Sequence, residues 1–552
     1  MDASAPQWSN WSKNLVHEPP TNGADYYFRP TDLAELKSVL ADAATKEVTV
    51  RVSGQRHSQT PLVAGDNRGA APSQPTTYLV DMSCYADLGP DSTDSMVLGP
   101  GRNQVTVNPG VKEDALDEFL TNNNLMLETV TAGGFFSIGG MTAVDVHGGT
   151  VEAPIFAETA SAFTILGADG NATVINEESE DKDGNALLPF ARVSLGALGI
   201  VTRITLNVLP RSYANTLQGG TDWYRLADDF KLQTDPAQFI AKFKELLTGA
   251  AKHTRMECFF TPYAAPFWGQ NNFLVLWWNV VANPQPAIPI SAIPKPAPDP
   301  KTACELSRES QFGAPLIAIG QFAEEVIRAA QTTNPYWSPL AGPAVIAKIA
   351  LDEIDSQVKT ANLNYSELWL AKSSRAIFMS YFVELPNLDD AGLKKAWEGL
   401  DVVNTYVTQT GKFHIAAPME FRFVKAGDTV MSGTFSTNRD AYFVNLDLIG
   451  FTEPAKGSDY PAELLKFFAH VERKWVAMGG VPHSGKMFGF YDPTDPAPDS
   501  YTPPFNQKFL TFITRQRRDA HGAPVDAFKK YRQACDPNGL FYTPYLRDML
   551  EG

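Results

Sequence analysis

RVSGQRHSQTP, residues 51 to 61, continues the alternating run Glu47-Val48-Thr49-Val50-Arg51-Val52 and breaks at Gly54 into a turn that carries His57. Alternation sends successive side chains to opposite faces of a strand, and a glycine at the end of such a run marks a turn. The spacing therefore predicts a strand that delivers an imidazole to a loop. A second segment, TAGGFFSIGGMTAVDVHGG from Thr131 to Gly149, is glycine-dense enough for backbone N–H groups to close on a large planar or anionic group. Tight turns between strands would need the same composition, so both readings stay open. Neither segment reads GxGxxG or GxxxxGK[ST], which removes the dinucleotide fingerprint and the triphosphate loop.

Working outward, TDLAELKSVLADAAT from Thr31 has a capping threonine, an early acid and the apolar recurrence of a helix. Strands are predicted at 77–82, 95–100, 105–107, 162–166, 172–176 and 200–208, with a helix from Val111 ending in three asparagines. Residues 17–210 thus read as one α+β lobe. Beyond it, a helix at 236–250, aromatic strands at 254–260 and 271–281, and strands at 376–385, 418–424 and 441–449 predict a second lobe of sheet plus helices over 211–490. The segment 283–300 holds seven prolines and is expected as a semi-rigid surface loop; a helical region is expected over 321–359. The tail 491–552 begins irregular, becomes helical and is expected to return to the first lobe.

At 552 residues two or three domains are the default, and 44% hydrophobic with 20% charged residues fits a well-packed chain. A formal charge of −16 argues against a nucleic-acid surface and against tight binding to anionic lipid. The four cysteines, at 84, 258, 304 and 535, form no CxxC pair, which argues against a metal cluster and leaves room for one structural disulfide. No run of 18 apolar residues occurs, so no membrane span is expected. The N-terminus lacks the basic region and apolar run of a signal peptide. A secreted or periplasmic location, with Met1 standing before a mature form, is the expectation; the cytoplasm is the alternative.

His57 is a candidate nucleophile, proton carrier or metal ligand, and equally a structural histidine. PMEFRF places Glu420 and Arg422 on one face of a strand. A carboxylate beside a guanidinium stays ionised and can be aimed at a hydroxyl, while the guanidinium stabilises charge developing on oxygen. An ordinary surface ion pair would have the same spacing. Asn445 in AYFVNLDLIG and Lys486 in VPHSGKMFG are further candidates, with sheet-edge closure and surface charge as their bland readings.

In order along the chain, RVSGQRHSQTP, PGV, TAGGFFSIGGMTAVDVHGG, SLGALGIVT and DPNGLFYTPYL resemble the flavin-binding scaffold of the vanillyl-alcohol oxidase superfamily. The resemblance implies an α+β, two-lobe PCMH-type fold with FAD bonded covalently to His57. It implies further FAD contacts from Ser53, Gly54, Gln55, Arg56 and Ser58, from Gly133, Ser137, Ile138, Gly139, Gly140, Ala143, His147 and Gly148, and from Gly199, Ile200, Val201 and Tyr545. Doubly linked members add a cysteine between the GG and HG motifs; none stands here, so one link is implied. No metal is implied.

Within the superfamily the chain resembles most the cholesterol oxidases with covalent flavin, through FFSIGGMTAVDVHG, FTPYAAPFW, GPAVIAKIALDE and PMEFRF followed by YFVNLDL. That likeness implies oxidation of a 3β-hydroxysteroid, with Glu420 taking the hydroxyl proton, Arg422 stabilising charge, and Asn445 and Lys486 completing the site. It also implies O2 as the second substrate, hydrogen peroxide as product, isomerisation of a 5-ene product, and transient membrane-surface contact to extract sterol. Those enzymes carry a carboxylate in the loop matching FTPYAAPFW; this chain has Pro262 and Tyr263 there and no acid between Glu257 and Asp299. The polyol and sugar-lactone oxidases and dehydrogenases are the alternative, and PHSGK resembles their site segment at least as well. Pocket polarity is the discriminator. A carbohydrate-binding or structural protein on the same scaffold is the other class; His57 and the Glu420–Arg422 couple speak against it.

Overall fold

The computed structural model describes residues 6–226, 229, 235–250, 252–263, 271–295, 302–309, 341–361, 363–373, 375–409, 415–451 and 456–551. The helix expected after Thr31 spans Leu33–Lys46 and buries Leu36, Leu40 and Ala43; its cap is Asp32, whose side chain accepts from the Glu35 amide, and not Thr31. A cap residue must be extended while its oxygen reaches the third helical amide, and Asp32 has that geometry. The helix leads into the strand Thr49–Val52, which pairs in parallel with Thr77–Val80, itself beside Tyr27–Phe28. A five-stranded antiparallel sheet completes this part, in the order 172–176, 160–166, 200–207, 104–107, 96–98.

The second part is a seven-stranded antiparallel sheet, ordered 217–224, 273–280, 255–260, 419–425, 442–450, 377–385, 481–482. Its central strands are nearly continuous in buried residues because both faces are covered. On one face Met256, Cys258 and Phe260, Met419, Phe421 and Phe423, Val444, Leu446 and Leu448, and Met379, Tyr381 and Val383 enter one apolar core. Helices Ala237–Thr248, Asp390–Gln409 and Ala462–Ala477 feed the same core with Phe239, Phe243, Leu393, Leu400, Phe467 and Trp475. Period two then sends Glu257, Glu420, Arg422, Asn445 and Asp447 to the opposite face, toward the first part of the molecule.

The tail ties the two parts together. Phe509, Leu510 and Ile513 of the helix Gln507–His521 join the core of the seven-stranded sheet, whereas Val525, Phe528, Leu546 and Leu550 join that of the five-stranded sheet. The Val50 amide donates to the Leu540 carbonyl, and Arg51 donates from one buried guanidinium to the carbonyls of Leu62, Gly196, Phe541 and Leu195. Cys84 and Cys304 form a disulfide. The proline-rich stretch is irregular over 283–295 apart from a short turn at Ile290–Ala292. Its end, residues 264–270 and the expected helix over 321–340 lie outside the described residues; the rest of that helical region is the helix Ala341–Thr360. No helix among the described residues is long and apolar enough to cross a membrane.

Candidate active site

The two glycine segments and the outer face of the seven-stranded sheet enclose a cavity of about 580 Å³, the size of a cofactor or ligand site. Loop 54–58 crosses it, held at its ends by the Ser53 amide on Val80 O (2.8 Å) and the Gln59 amide on Gly485 O (2.9 Å). The Gln59 side chain donates further to Ser12 Oγ (2.6 Å) and Ala376 O (2.9 Å). Arg56 takes a left-handed backbone (φ 60°), and its guanidinium donates to the Tyr27 hydroxyl, which donates to Asp81. That turn leaves His57 on the cavity wall.

The His57 ring is stacked between Trp11 and Phe135, each 5.1 Å away between centroids, with Phe136 edge-on at 4.8 Å. Its Nε2 has no hydrogen-bond partner among the described residues. Desolvation, helped by the nearby Lys486 charge, pushes its pKa down to about 3, so the imidazole is neutral at ordinary pH. A neutral, oriented and unpartnered nitrogen is what a bond to an electron-poor ring needs.

The second glycine segment is fixed by Glu113, which accepts from the Thr131 amide (2.7 Å) and hydroxyl. It approaches the first loop so closely that a Cβ on Gly54 would stand 2.4 Å from Ser137 Oγ. Gly199, at φ +142°, lies against the Leu166 carbonyl, where a Cβ would come within 2.5 Å. The backbone itself therefore forms the wall, as a flat ring with a phosphate-bearing arm requires.

Opposite lies a floor of charge. Arg422 donates from Nε to Glu420 Oε1, and its Nη2 is in ion-pair contact with the same oxygen and 3.3 Å from Glu257 Oε2. Glu257 accepts from Trp369 Nε1 at 3.0 Å, and burial pushes its carboxyl up to about 7 against the pull of Arg422. In the strand register Glu420 faces Asp447 and Arg422 faces Asn445. The Lys486 ammonium sits 4.0 Å from the Phe378 ring centre; burial lowers its pKa, while Asp447 and Glu420 oppose that shift.

Of the residues expected to hold FAD, Ser53, Gly54, Gln55, Arg56, His57, Ser58, Gly133, Ser137, Gly139, Gly140, Ala143, His147, Gly199 and Ile200 line this cavity, as do Glu420, Arg422 and Lys486. Five expected positions are not on the lining. Ile138 donates its amide to Val111 O and buries its side chain in the core. Gly148 is backed against the Val130 carbonyl, Val201 pairs with Ile165 inside the sheet, and Tyr545 packs edge-on to Phe505 from the helix Pro544–Glu551. Asn445 is fully buried and donates to Ser380 Oγ (2.9 Å). Asp447 and Trp369, by contrast, line the cavity although the expected set did not include them. Asp447 stands two residues beyond Asn445 on the same strand face, a signal present in the alternation.

A family model described as FAD binding domain matches residues 24–176, and one described as D-arabinono-1,4-lactone oxidase matches residues 392–549. The first spans both glycine motifs, the second Glu420, Arg422 and Lys486. In these two matches and in its fold the chain resembles the vanillyl-alcohol-oxidase, PCMH-type FAD-oxidase superfamily. Similar proteins include L-gulonolactone oxidase of Mus musculus, 26% identical over 37% of this chain and 41% of that protein. L-gulono-1,4-lactone dehydrogenase of Mycobacterium tuberculosis is 31% identical over 39% and 46%. Mitochondrial L-galactono-1,4-lactone dehydrogenase of Arabidopsis thaliana is 23% identical over 96% and 79%. The match thus spans less than half the length of the first two relatives. Among solved structures, a solvent-stable cholesterol oxidase superposes with TM-score 0.70 at 17% identity over 98% of this chain and 97% of that one. Cholesterol oxidase from B. sterolicum gives 0.68 at 18%, over 99% and 96%.

Proposed function

We propose that this protein oxidises a secondary alcohol on a largely apolar body, a sterol being the model substrate, to the ketone. The observation that carries the reading is the composition of the cavity beyond its charged floor. There Phe259, Ile346, Ile349, Ala350, Ile354, Trp369, Leu370, Phe378, Ile449 and Phe451 form the wall. Such a surface favours a hydrocarbon skeleton. Polar groups come from the floor, with Glu420, Arg422, Asp447 and Lys486, enough to seat one oxygen-bearing end, and from Glu353, Gln357, Lys372 and Ser373 beside the apolar wall.

FAD, when bound, supplies the acceptor for the hydrogen on the carbinol carbon. The loop 53–58 and the glycine segment 133–147 would hold it, with His57 Nε2 as the point of covalent attachment. Glu420 would accept a hydrogen bond from the substrate hydroxyl and orient it, and Arg422 would stabilise negative charge growing on that oxygen. Molecular oxygen as final acceptor, with release of hydrogen peroxide, completes the oxidase reading. The Cys84–Cys304 disulfide supports an oxidising, secreted or periplasmic setting.

A second reading, oxidation of a sugar lactone or polyol, is favoured by the sequence comparisons: the lactone-oxidase model covers the floor residues and all three relatives above bear lactone names. Anaerobic bleaching of the purified yellow protein separates the two. Cholesterol should bleach it and L-gulono-1,4-lactone, L-galactono-1,4-lactone and sorbitol should not. Bleaching by a lactone or sorbitol alone would overturn the apolar reading, and a protein that binds no FAD would overturn both.

A further inference from the structure

Glu420 and Asp447 are direct cross-strand partners and both face the cavity, yet they are placed differently. Glu420 Oε1 accepts from Arg422 Nε and is in ion-pair contact with Arg422 Nη2, so this carboxylate oxygen is committed to the guanidinium. Asp447 is paired more loosely. The Ser380 hydroxyl bonds to it and the Lys486 charge acts on it, but its Oδ1 is buried without a hydrogen-bond partner among the described residues. A buried carboxylate oxygen on a cavity wall calls for a donor, and a substrate hydroxyl is the donor the cavity can admit.

We propose that Asp447 is the catalytic base of the reaction, taking the hydroxyl proton of the substrate while Glu420 orients that hydroxyl. The inference rests on the reading of the cavity as an FAD and alcohol site. In the step, the carbinol O–H breaks and its proton goes to Asp447 Oδ1. The O–H electron pair would become the second bond of the ketone, and FAD, held by loop 53–58 and segment 133–147, would supply the two-electron acceptor for the carbon-bound hydrogen and its bonding pair. The charged groups facing Asp447 are Glu420 and Arg422 from the strand 419–425 and Lys486 from the segment after 481–482; Ser380 reaches it from the strand 377–385. Burial first, then Glu420, pushes the Asp447 carboxyl up to about 6, against Lys486, Ser380 and Arg422. It is thus ionised at neutral pH and more basic than an ordinary aspartate, the condition for a working base.

The test compares the holoenzyme with D447N, E420Q and S380A. Anaerobic flavin reduction is followed by stopped flow between about pH 4.5 and 9, with flavin content and melting temperature confirming the fold. The wild-type rate should fall on the acid side through one ionisation near 6. D447N should lose about 10²–10⁴-fold and lose that acid limb, while E420Q slows but keeps it. S380A, which removes a bond to the ionised form, should move the limb to higher pH. A D447N enzyme that keeps the limb, or an S380A limb that does not move, overturns the proposal. Infrared difference spectra of wild type and D447N across the same pH range supply a readout that needs no substrate. A carboxyl band that titrates near 6 and is missing in D447N supports the assignment even if no tested alcohol reduces the flavin, and its absence overturns it.

Discussion

Arg422 stands between two buried carboxylates, Glu420 and Glu257, and its own ionised form is favoured by both although burial opposes it. Removing one member of such a group leaves the others charged in a poor dielectric, which costs far more than the group contributes when complete. Arg422→Met is therefore expected to destabilise the protein by about 3–5 kcal/mol in urea unfolding. Trp369→Phe, which deletes the indole N–H on Glu257 and shrinks the buried ring, should cost about 1–3 kcal/mol. Equal losses for the two would show that the guanidinium does not carry the charge balance. His57 poses the opposite case, a neutral group with a nitrogen left unpartnered. After acid precipitation the yellow colour is expected to stay with the wild-type polypeptide and to wash out of His57→Ala. Release from the wild type would remove the covalent link from the proposal without touching FAD binding itself.

At the scale of elements, alternation made the strands 419–425 and 442–450 readable, because Met419, Phe421 and Phe423 alternate with Glu420 and Arg422. Period two assigns a face but not depth, and so it could not tell that Asn445 is buried under the floor while Asp447 reaches the cavity. Glu257 needed the cross-strand order as well: 255–260 lies beside 419–425, a pairing between segments some 160 residues apart that no local pattern announces. The glycine segments were legible as loops, whereas the group that pins the second of them was not. That group is Glu113, on the helix Glu113–Asn122, whose burial pushes its carboxyl up to about 8 despite two donors from Thr131. Because the folded pKa lies above the unfolded value of roughly 4.3, the folded state binds this proton more tightly. Its contribution is complete at acid pH and is lost as pH rises toward 8, by at most ~1.4 kcal/mol per pH unit. Glu113→Gln, permanently uncharged, should melt above the wild type at pH 8 by a margin that shrinks toward pH 5; a margin independent of pH would mean that Glu113 does not take up a proton on folding.

On the scale of the whole molecule, the cavity exists only where the glycine segments are held against the outer face of the seven-stranded sheet, and the contacts that hold them come from distant parts of the chain. The helix Ala303–Arg308, inserted between strands of the seven-stranded sheet, reaches across to the first part of the molecule. There Ser307 bonds to Asp81, its carbonyl accepts from Arg29 (3.1 Å), and Cys304 is bonded to Cys84, 220 residues earlier. A crosslink across so long a stretch removes much of the freedom of the unfolded chain, which is worth about 2–4 kcal/mol in the usual case. It also closes onto Asp81, the acceptor for Tyr27, and Tyr27 in turn anchors Arg56 of the loop that presents His57. Opening the disulfide should consequently act at two levels. Cys304→Ser is expected to lower unfolding stability by about 2–4 kcal/mol, and to make limited proteolysis cut near residue 304 faster than in the wild type. If the link does no more than limit the unfolded chain, stability will fall while the native protein keeps its resistance to cleavage; faster cutting of the native protein would show that this staple also keeps the wall of the cavity in place.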